Sequence, residues 1–497
     1  MDLELQFNDI TCFAPIGTLS ASHEETLETV IPEYCPDITR IIDTVGQLCI
    51  REKLCGKDCY TVSGAVKVTV LYTSEEAAGV RTLHVSVPFT CRWEDGRLLQ
   101  CQAVDACGRV LLAEARAITS RKLYLRVLPE ITLQPYTQVQ RHLCCGAQEE
   151  KSLRLLEKEK TVSCLCAVSE KQFNFTQDAP LPEGEHPEDL LLVRLCPGVS
   201  SLQRVGNKFS LKGEMAVYAL YCDEARALRT YQGALPIAEV LEAGELPEEA
   251  EYAVTLQLCE YDGRLLRADT GSAIGITAAV NVRICAYCRS TVKYLEDLYS
   301  VRCRADTGYQ QVEIPQCAPP RQIAREFAER LEFGTAEPFV FATQWDLAPV
   351  AVMQEEGGTY LRTTLHLRLL YLDENGAPAS AERTAEVSVS TGEATGNVMA
   401  ACTPPAARWT GNVCELRGQV VFTVGCSSRE TLQAVSCVTL SQEEKRAAGP
   451  GLILRRMRPG ETLWDIAKQY RADSAAIEAA NPQGIDGEKL LLIPRAR

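Results

Sequence analysis

Two cysteines three residues apart, Cys285 and Cys288, have the spacing at which two thiolates can share a zinc ion or form a redox-active disulfide. A zinc site needs a second pair of ligands, but the next cysteines, Cys303 and Cys317, stand singly. A redox pair needs a helix N-terminus, whereas this pair ends a strand-like run of alternating residues. We therefore interpret both cysteines as structural, and we expect no metal and no cofactor.

Other residue types that often act in catalysis or metal binding are also poorly placed for these roles. None of the five histidines lies at strand or helix spacing from another, so no histidine pair is available for metal binding or catalysis. The chain lacks the glycine patterns of nucleophile elbows, phosphate loops and dinucleotide-binding sites. We therefore expect a non-enzymatic protein, with an unrecognised enzyme as an alternative that no motif supports.

Composition limits the class of protein. The 497 residues are 46% hydrophobic and 24% charged, which is typical of a globular chain with several domains. No apolar run approaches the ~18–20 residues needed to span a bilayer, and no secretory signal follows Met1. The 23 cysteines are scattered instead of regularly spaced, so we expect reduced thiols packed in β cores in preference to disulfides.

Charge is unevenly placed along the chain. The net charge is −15, but the segment from Leu452 onward carries 8 basic and 6 acidic residues and is therefore +2. The preceding residues carry −17. Such an acidic body repels nucleic acid and anionic membranes, so we expect neither as a general partner.

A repeat of about 150 residues organises the acidic body. Three alternating, strand-like segments end at Tyr72, Tyr221 and Tyr371, which are 149 and 150 residues apart. A glycine lies eight residues before the first two tyrosines, and Thr363 takes this place before the third. Alternation predicts antiparallel strands with one buried face. The expected units are 1–145, 150–300 and 305–440, followed by a linker at 441–451 and a small module at 452–496.

Three local patterns give further predictions within these units. Helix formers favour a helix over 152–160. Ile323, Phe327 and Leu331 lie four residues apart and favour a second helix over 320–331. The dipeptide Asp262-Gly263 is typical of a hairpin turn.

The C-terminal segment predicts a β-α-α-β module. A strand over 452–457 runs into Pro459-Gly460, and Thr462 can cap a helix together with Asp465. Asp473 or Ser474 can cap a second helix, which Pro482 ends before a last strand at 490–493. This segment resembles the LysM module, a small carbohydrate-binding domain, in three sequence motifs: PGETLWDIAKQY, then AANP, then a closing LLIP.

The LysM resemblance implies a shallow groove that binds glycans containing N-acetylglucosamine. Trp464 beside this groove can stack on a sugar or can pack the first helix of the module onto its sheet. Carried over to this sequence, the two sides of the groove are Gly460, Glu461, Thr462 and Leu463 on one loop, and Asn481, Pro482, Gln483, Gly484 and Ile485 on the other.

The whole chain resembles the SipL-type spore-coat assembly proteins of endospore-forming clostridia, whose repeated module is called the SPOCS domain. The residues that carry this resemblance are the segment PEYCPDI from Pro32, the two strands from glycine to Tyr72 and Tyr221, and YLEDLYS over 294–300. The fold class implied is tandem antiparallel β repeat domains followed by the LysM module.

The spore-coat resemblance also implies a function. Such a protein is a scaffold in the mother-cell cytoplasm that docks through its LysM module to the coat-basement ATPase, stage IV sporulation protein A, at the forespore surface. The alternative is an ordinary LysM protein that binds peptidoglycan or another N-acetylglucosamine glycan. Because wall glycan lies outside the membrane and no export signal is visible, the sequence favours the scaffold.

Overall fold

The computed structural model describes residues 3–57, 59–148, 151–268, 271–333, 339–355, 358–391, 396–441, 451–482 and 490–494. Almost all regular structure is β-strand in antiparallel sheets, which confirms the predicted fold class. Among the described residues, α-helix is confined to the C-terminal module. No helix among the described residues is long and apolar enough to cross a membrane.

The strands before the C-terminal module fall into three sets, which we call the first, second and third β units. The first unit contains β1 (Leu5–Pro15), β2 (Leu19–Ser22), β3 (Glu25–Val30), β4 (Arg40–Cys55), β5 (Tyr60–Thr73), β6 (Val80–Trp93), β7 (Ala103–Thr119) and β8 (Lys122–Ala147). The second contains β9 (Leu153–Pro180), β10 (Pro187–Val205), β11 (Lys208–Asp223), β12 (Leu228–Glu242), β13 (Glu251–Ala268) and β14 (Gly271–Ser300). The third contains β15 (Ala305–Glu332), β16 (Val340–Leu347), β17 (Ala351–Glu355), β18 (Gly358–Leu372), β19 (Pro378–Ser390), β20 (Val398–Cys402), β21 (Ala406–Thr410) and β22 (Val413–Leu440).

All three β units share one topology. The last strand of each unit pairs with the beginning of that unit and with the strand or strands just before it: β8 with β1–β3 and β7, β14 with β9 and β13, and β22 with β15, β20 and β21. The intervening strands form a second sheet, whose central strands are β5, β11 and β18. The three segments that end at Tyr72, Tyr221 and Tyr371 therefore occupy the same place in each unit. The exact domain limits given above stay a prediction.

The glycine of the repeated strand marks a β-bulge in the neighbouring strand. A Cβ atom on Gly64 would lie 2.1 Å from the carbonyl oxygen of Cys49, and one on Gly213 would lie 2.2 Å from that of Gly198. The register of the neighbouring strand shifts at both places. In the third unit the neighbouring strand is broken between β16 and β17, and the hydroxyl of Thr363 donates to the carbonyl of Ala348 at 2.8 Å. Because the close backbone approach is lost there, a side chain is tolerated.

Both helices predicted within the units are wrong. Residues 153–160 belong to β9, which pairs with β14 along its whole length, and residues 321–331 belong to β15, which pairs with β22. Phe327 and Leu331 are buried and Ile323 packs against the same core. A spacing of four residues is a multiple of the strand period of two, so the shared face fits a strand as well as a helix. Long-range pairing then overrides local helix propensity.

The hairpin turn predicted at Asp262-Gly263 is also wrong. Both residues lie inside β13 and pair with Thr277 and Ile276 of β14. A Cβ atom on Gly263 would come within 3.0 Å of the Val193 side chain. This glycine therefore permits close packing of β13 on β10 instead of a turn.

The three units pack around common cores. One core joins Leu71 of the first unit, Leu220 of the second and Phe341 of the third, and another joins Leu143, Val162 and Ile314 of the same three units. Each unit thus contacts both of the others. A hydrogen bond also joins each pair of units: Gln47 Nε2 donates to the Leu195 carbonyl at 2.8 Å, Arg194 Nη1 to the Thr343 carbonyl at 3.0 Å, and Arg368 Nη1 to the Thr44 carbonyl at 3.0 Å.

Candidate functional site

The C-terminal module has the predicted order of strands and helices. It contains β23 (Leu452–Arg456), α1 (Leu463–Tyr470), α2 (Ser474–Ala480) and β24 (Leu490–Pro494), with β23 and β24 paired antiparallel. Thr462 and Asp465 form the expected capping box at the start of α1, and Asp473 caps α2. These local predictions are confirmed.

The loop before α1 is held in place by its own side chains. Glu461 accepts a hydrogen bond from Arg455 at 2.5 Å and another from the backbone amide of Arg458 at 3.1 Å. Gly460 has a φ of 81°, a left-handed conformation that suits glycine. Leu463 is partly buried against the core of the module. The side of the groove from Gly460 to Leu463 is therefore preorganised, with the Glu461 carboxylate used inside the loop.

The opposite loop is described only at its beginning. The Asn481 amide donates to the carbonyls of Ile477 at 2.6 Å and Leu492 at 2.7 Å, and its oxygen accepts from the Leu492 amide at 2.9 Å. Asn481 therefore joins α2 to β24 and has a structural role. Pro482 follows it in a turn. Gln483, Gly484 and Ile485 lie outside the described residues.

A carboxylate of the second unit fixes the module to the β units. Asp297 accepts hydrogen bonds from Trp464 Nε1 at 2.7 Å, from Lys468 Nζ at 2.7 and 2.8 Å, and from the Tyr309 hydroxyl at 2.6 Å. Lys468 also donates to the Tyr309 hydroxyl at 2.9 Å. The Asp297 side chain is only 15% exposed. We call these four residues the Asp297 clamp.

Apolar and backbone contacts extend the attachment beyond the clamp. The Tyr299 ring meets Trp464 edge to face, with centroids 4.8 Å apart, and its hydroxyl donates to the Ala472 carbonyl at 2.8 Å. Tyr299 and Val301 share one hydrophobic core with the module. Arg154 forms an ion pair with Asp473. Trp464 therefore packs α1 against the β units, a contact that the sequence did not predict.

Two β-bulges lie beside residues of the Asp297 clamp. The register between β14 and β9 shifts between Leu295 and Asp297, so Glu296 is an extra residue in β14. The register between β15 and β22 shifts between Gly308 and Tyr309. Bulges of this kind redirect the side chains that follow them. Asp297 directly follows the extra residue Glu296 of β14, whereas the shift beside Tyr309 leaves the extra residue, Ser436, in β22.

The electrostatics of the clamp keep Asp297 charged. Burial by itself raises the pKa of this carboxyl, but the hydrogen bonds from Lys468, Trp464 and Tyr309 outweigh it and hold the pKa below the ordinary value. The same contacts raise the pKa of Lys468 in spite of its partial burial. Both groups are therefore ionised at neutral pH.

A cleft of about 440 Å³ opens between the module and the β units beside the clamp. It has walls from both parts of the protein. The module contributes Thr462, Trp464 and Asp465, and the β units contribute Leu156, Lys158, Glu296, Asp297, Tyr309 and Gln433.

The structure does not bring Cys285 and Cys288 together as one site. Cys288 lies beside Cys166, and Cys285 lies beside Arg283. Burial raises the pKa of many thiols, for example that of Cys49 to about 12, so these thiols are poorly reactive at neutral pH. The cysteines other than Cys426 are free thiols. No group of three or more His, Cys, Asp or Glu side chains that the structure describes is arranged to hold a metal ion.

The comparisons with known proteins bear on the module. Residues 457–494 match the family model of the LysM domain. The chain carries a C-terminal LysM domain. Searches of the curated proteins and of the solved structures find no match. The match covers the LysM domain alone, so the resemblance of the β units to SPOCS repeats remains an expectation.

The helices and caps of the LysM domain were predictable from the sequence, but the residues that hold this domain in place were not. Asp297 and Tyr299 lie within the segment 294–300, which the sequence marked only by its resemblance to spore-coat proteins. No sequence pattern marked Arg154 or Tyr309, because their role depends on strand pairing between distant segments.

Proposed function

We propose that this protein is a non-enzymatic binding scaffold whose LysM domain recognises glycans that contain N-acetylglucosamine, such as peptidoglycan. The match of residues 457–494 to the LysM domain carries this proposal, since LysM is a binding domain. We place the ligand in the groove between Gly460–Leu463 and Asn481–Ile485.

The contacts of the groove residues refine this proposal. Glu461, Thr462 and Asn481 use their side chains inside the domain. We therefore expect a glycan to be held by backbone groups of these loops and by the Leu463 side chain. A ligand held in this way needs a rigid loop, because ordering a mobile loop on binding would cost affinity. The Glu461–Arg455 ion pair and the capping box supply that rigidity.

The β units support the scaffold part of the proposal. Their common cores make one body, and the Asp297 clamp attaches the LysM domain to it in a fixed orientation. In this arrangement the β units present the groove to the ligand.

Sedimentation with insoluble peptidoglycan or chitin tests glycan binding by the full chain. Gly460→Asn adds a side chain to the groove loop at a φ of 81°, and Gly376→Asn adds the same side chain to a distant turn at a φ of 73°. Neither new Cβ atom would meet a neighbour within 4 Å, and asparagine tolerates this conformation. We expect Gly460→Asn to weaken binding about tenfold or more and Gly376→Asn to leave it unchanged. Failure of the wild-type protein to sediment, or equal sedimentation of both variants, would contradict the proposal.

The second candidate is the spore-coat scaffold, in which the LysM domain docks a protein. Leu452, Leu454 and Leu490 lie on the outer face of the β23–β24 sheet and are 52%, 61% and 62% exposed. An exposed apolar face of this kind favours a protein contact. The proposed partner is a stage IV sporulation protein A-like ATPase, and the proposed location is the forespore surface in the mother-cell cytoplasm.

Capture of the purified ATPase by the full chain tests this second candidate. Leu454→Lys, on the outer face, should reduce capture, whereas Val352→Lys is a control at a residue of similar exposure, 50%, in the third unit. If Leu454→Lys captures the ATPase as well as wild type does, the leucine face is not the docking surface.

A further inference from the structure

The cleft beside the Asp297 clamp adjoins the loop that forms one side of the proposed LysM groove. Thr462 belongs to both, because it is part of the groove loop and also lines the cleft. The cleft volume of about 440 Å³ falls within the ~300–1,000 Å³ that is usual for small-ligand sites. A chain of sugars that leaves the groove past Thr462 therefore reaches residues of the β units.

An exposed aromatic ring stands in this cleft and is held rigidly. Tyr309 is 42% exposed, although its hydroxyl donates to Asp297 and accepts from Lys468. An exposed tyrosine normally samples several rotamers, but these two hydrogen bonds fix the ring before any ligand arrives. A fixed aromatic face suits the apolar face of a sugar ring, with little entropy lost on binding.

The polar lining of the cleft favours a neutral ligand. Glu296, Asp297 and Asp465 contribute carboxylates, and Lys158 forms an ion pair with Glu296 at 2.7 Å. This excess of negative charge disfavours phosphate or a carboxylated ligand. Gln433 is exposed and offers both an amide donor and an amide acceptor, which are the groups that sugar hydroxyl and acetamido groups pair with.

We propose that this cleft is a second saccharide subsite, built from the β units, which binds the sugars of an N-acetylglucosamine oligosaccharide that extend beyond the LysM groove. The subsite rests on the proposed glycan-binding function and adds a specificity for chain length. It also gives the rigid attachment of the LysM domain a role, because the cleft exists only while the domain is docked.

Calorimetric titration of the full chain with N-acetylglucosamine oligomers of two to five sugars tests the subsite. We expect the affinity to rise about tenfold from the dimer to the pentamer, as one further stacked and hydrogen-bonded ring would give. Gln433→Trp should fill the cleft and remove this rise while keeping the dimer affinity. Thr431→Trp, at an exposed position on the same strand that does not line the cleft, is the matched control.

Gln433→Ala provides a milder second variant in case the tryptophan disturbs folding, and it should reduce the rise about threefold. A wild-type affinity that does not change with chain length, or a rise that survives both Gln433 substitutions, would overturn the subsite while leaving glycan binding intact. Absence of binding to every oligomer would instead refute the proposed function itself.

Discussion

Replacement of Asp297 by alanine should loosen the LysM domain from the β units. The substitution removes the acceptor for Trp464 Nε1, Lys468 Nζ and the Tyr309 hydroxyl. A hydrogen bond to a charged group contributes ~1.5–3 kcal/mol, but these three share one carboxylate and are not additive. Lys468 is 36% exposed, so solvent screening reduces its share. We expect a total loss of about 3 kcal/mol.

Hydrogen exchange of α1 and α2 in the full chain measures this loss. The core of the LysM domain includes Tyr299 and Val301 of the β units, so undocking exposes part of that core and lowers the free energy of opening of both helices. A loss of about 3 kcal/mol corresponds to a decrease in protection on the order of 100-fold. Helix amides in the wild-type protein and the variant are compared at the same pH.

Two further variants make the interpretation specific. Asp306→Ala removes a nearby carboxylate whose ion pair with Arg304 is exposed, and it should change protection by less than about threefold. Asp297→Asn keeps one acceptor oxygen and should lie between alanine and wild type. If Asp297→Ala leaves the protection of α1 and α2 within threefold of wild type, the clamp does not hold the domain.

Three other outcomes follow from named contacts. The folded-state pKa of Asp297 lies below its ordinary value. Its contribution to docking is therefore present above about pH 4 and is lost as the pH falls through the folded pKa. The amides of α1 should accordingly lose protection from exchange in acid at constant salt. Asn481→Ala removes three hydrogen bonds to the backbone and should lower the free energy of unfolding of the LysM domain by about 2–3 kcal/mol, as measured by exchange of β24 amides; an unchanged value would contradict its structural role. Gly64→Ala places a Cβ atom 2.1 Å from the Cys49 carbonyl and should destabilise the first unit by about 2 kcal/mol or more in denaturant unfolding. Gly96→Ala in the same unit, where the new Cβ atom meets no neighbour within 4 Å, provides the comparison.

Features with local causes were predictable from the sequence. The caps at Thr462 and Asp473 depend on side chains within a few residues of the helix, and the prediction of both helices of the LysM domain is confirmed. Strand alternation likewise indicated the β class, and the regular spacing of Tyr72, Tyr221 and Tyr371 indicated equivalent strands.

Features that depend on distant segments were not predictable. Residues spaced by four, such as Phe327 and Leu331, fit both helix and strand, and only the pairing of β15 with β22 decides between them. The Asp297 clamp joins residues up to 171 positions apart, and two β-bulges lie beside it. Neither the register nor the bulges leave a pattern in one sequence that marks Asp297 as the residue that receives the LysM domain.

The most direct test of glycan recognition is a hydrogen-exchange footprint of the full chain with and without excess N-acetylglucosamine tetramer. We predict slower exchange of the backbone amides at 460–463, because in the proposed complex these amides face the bound sugar, and smaller changes around Tyr309 and Gln433. Amides of the β23 strand beneath the exposed leucines should not change. Unchanged amides at 460–463 under saturating tetramer, or protection confined to the leucine face, would contradict glycan binding in the LysM groove.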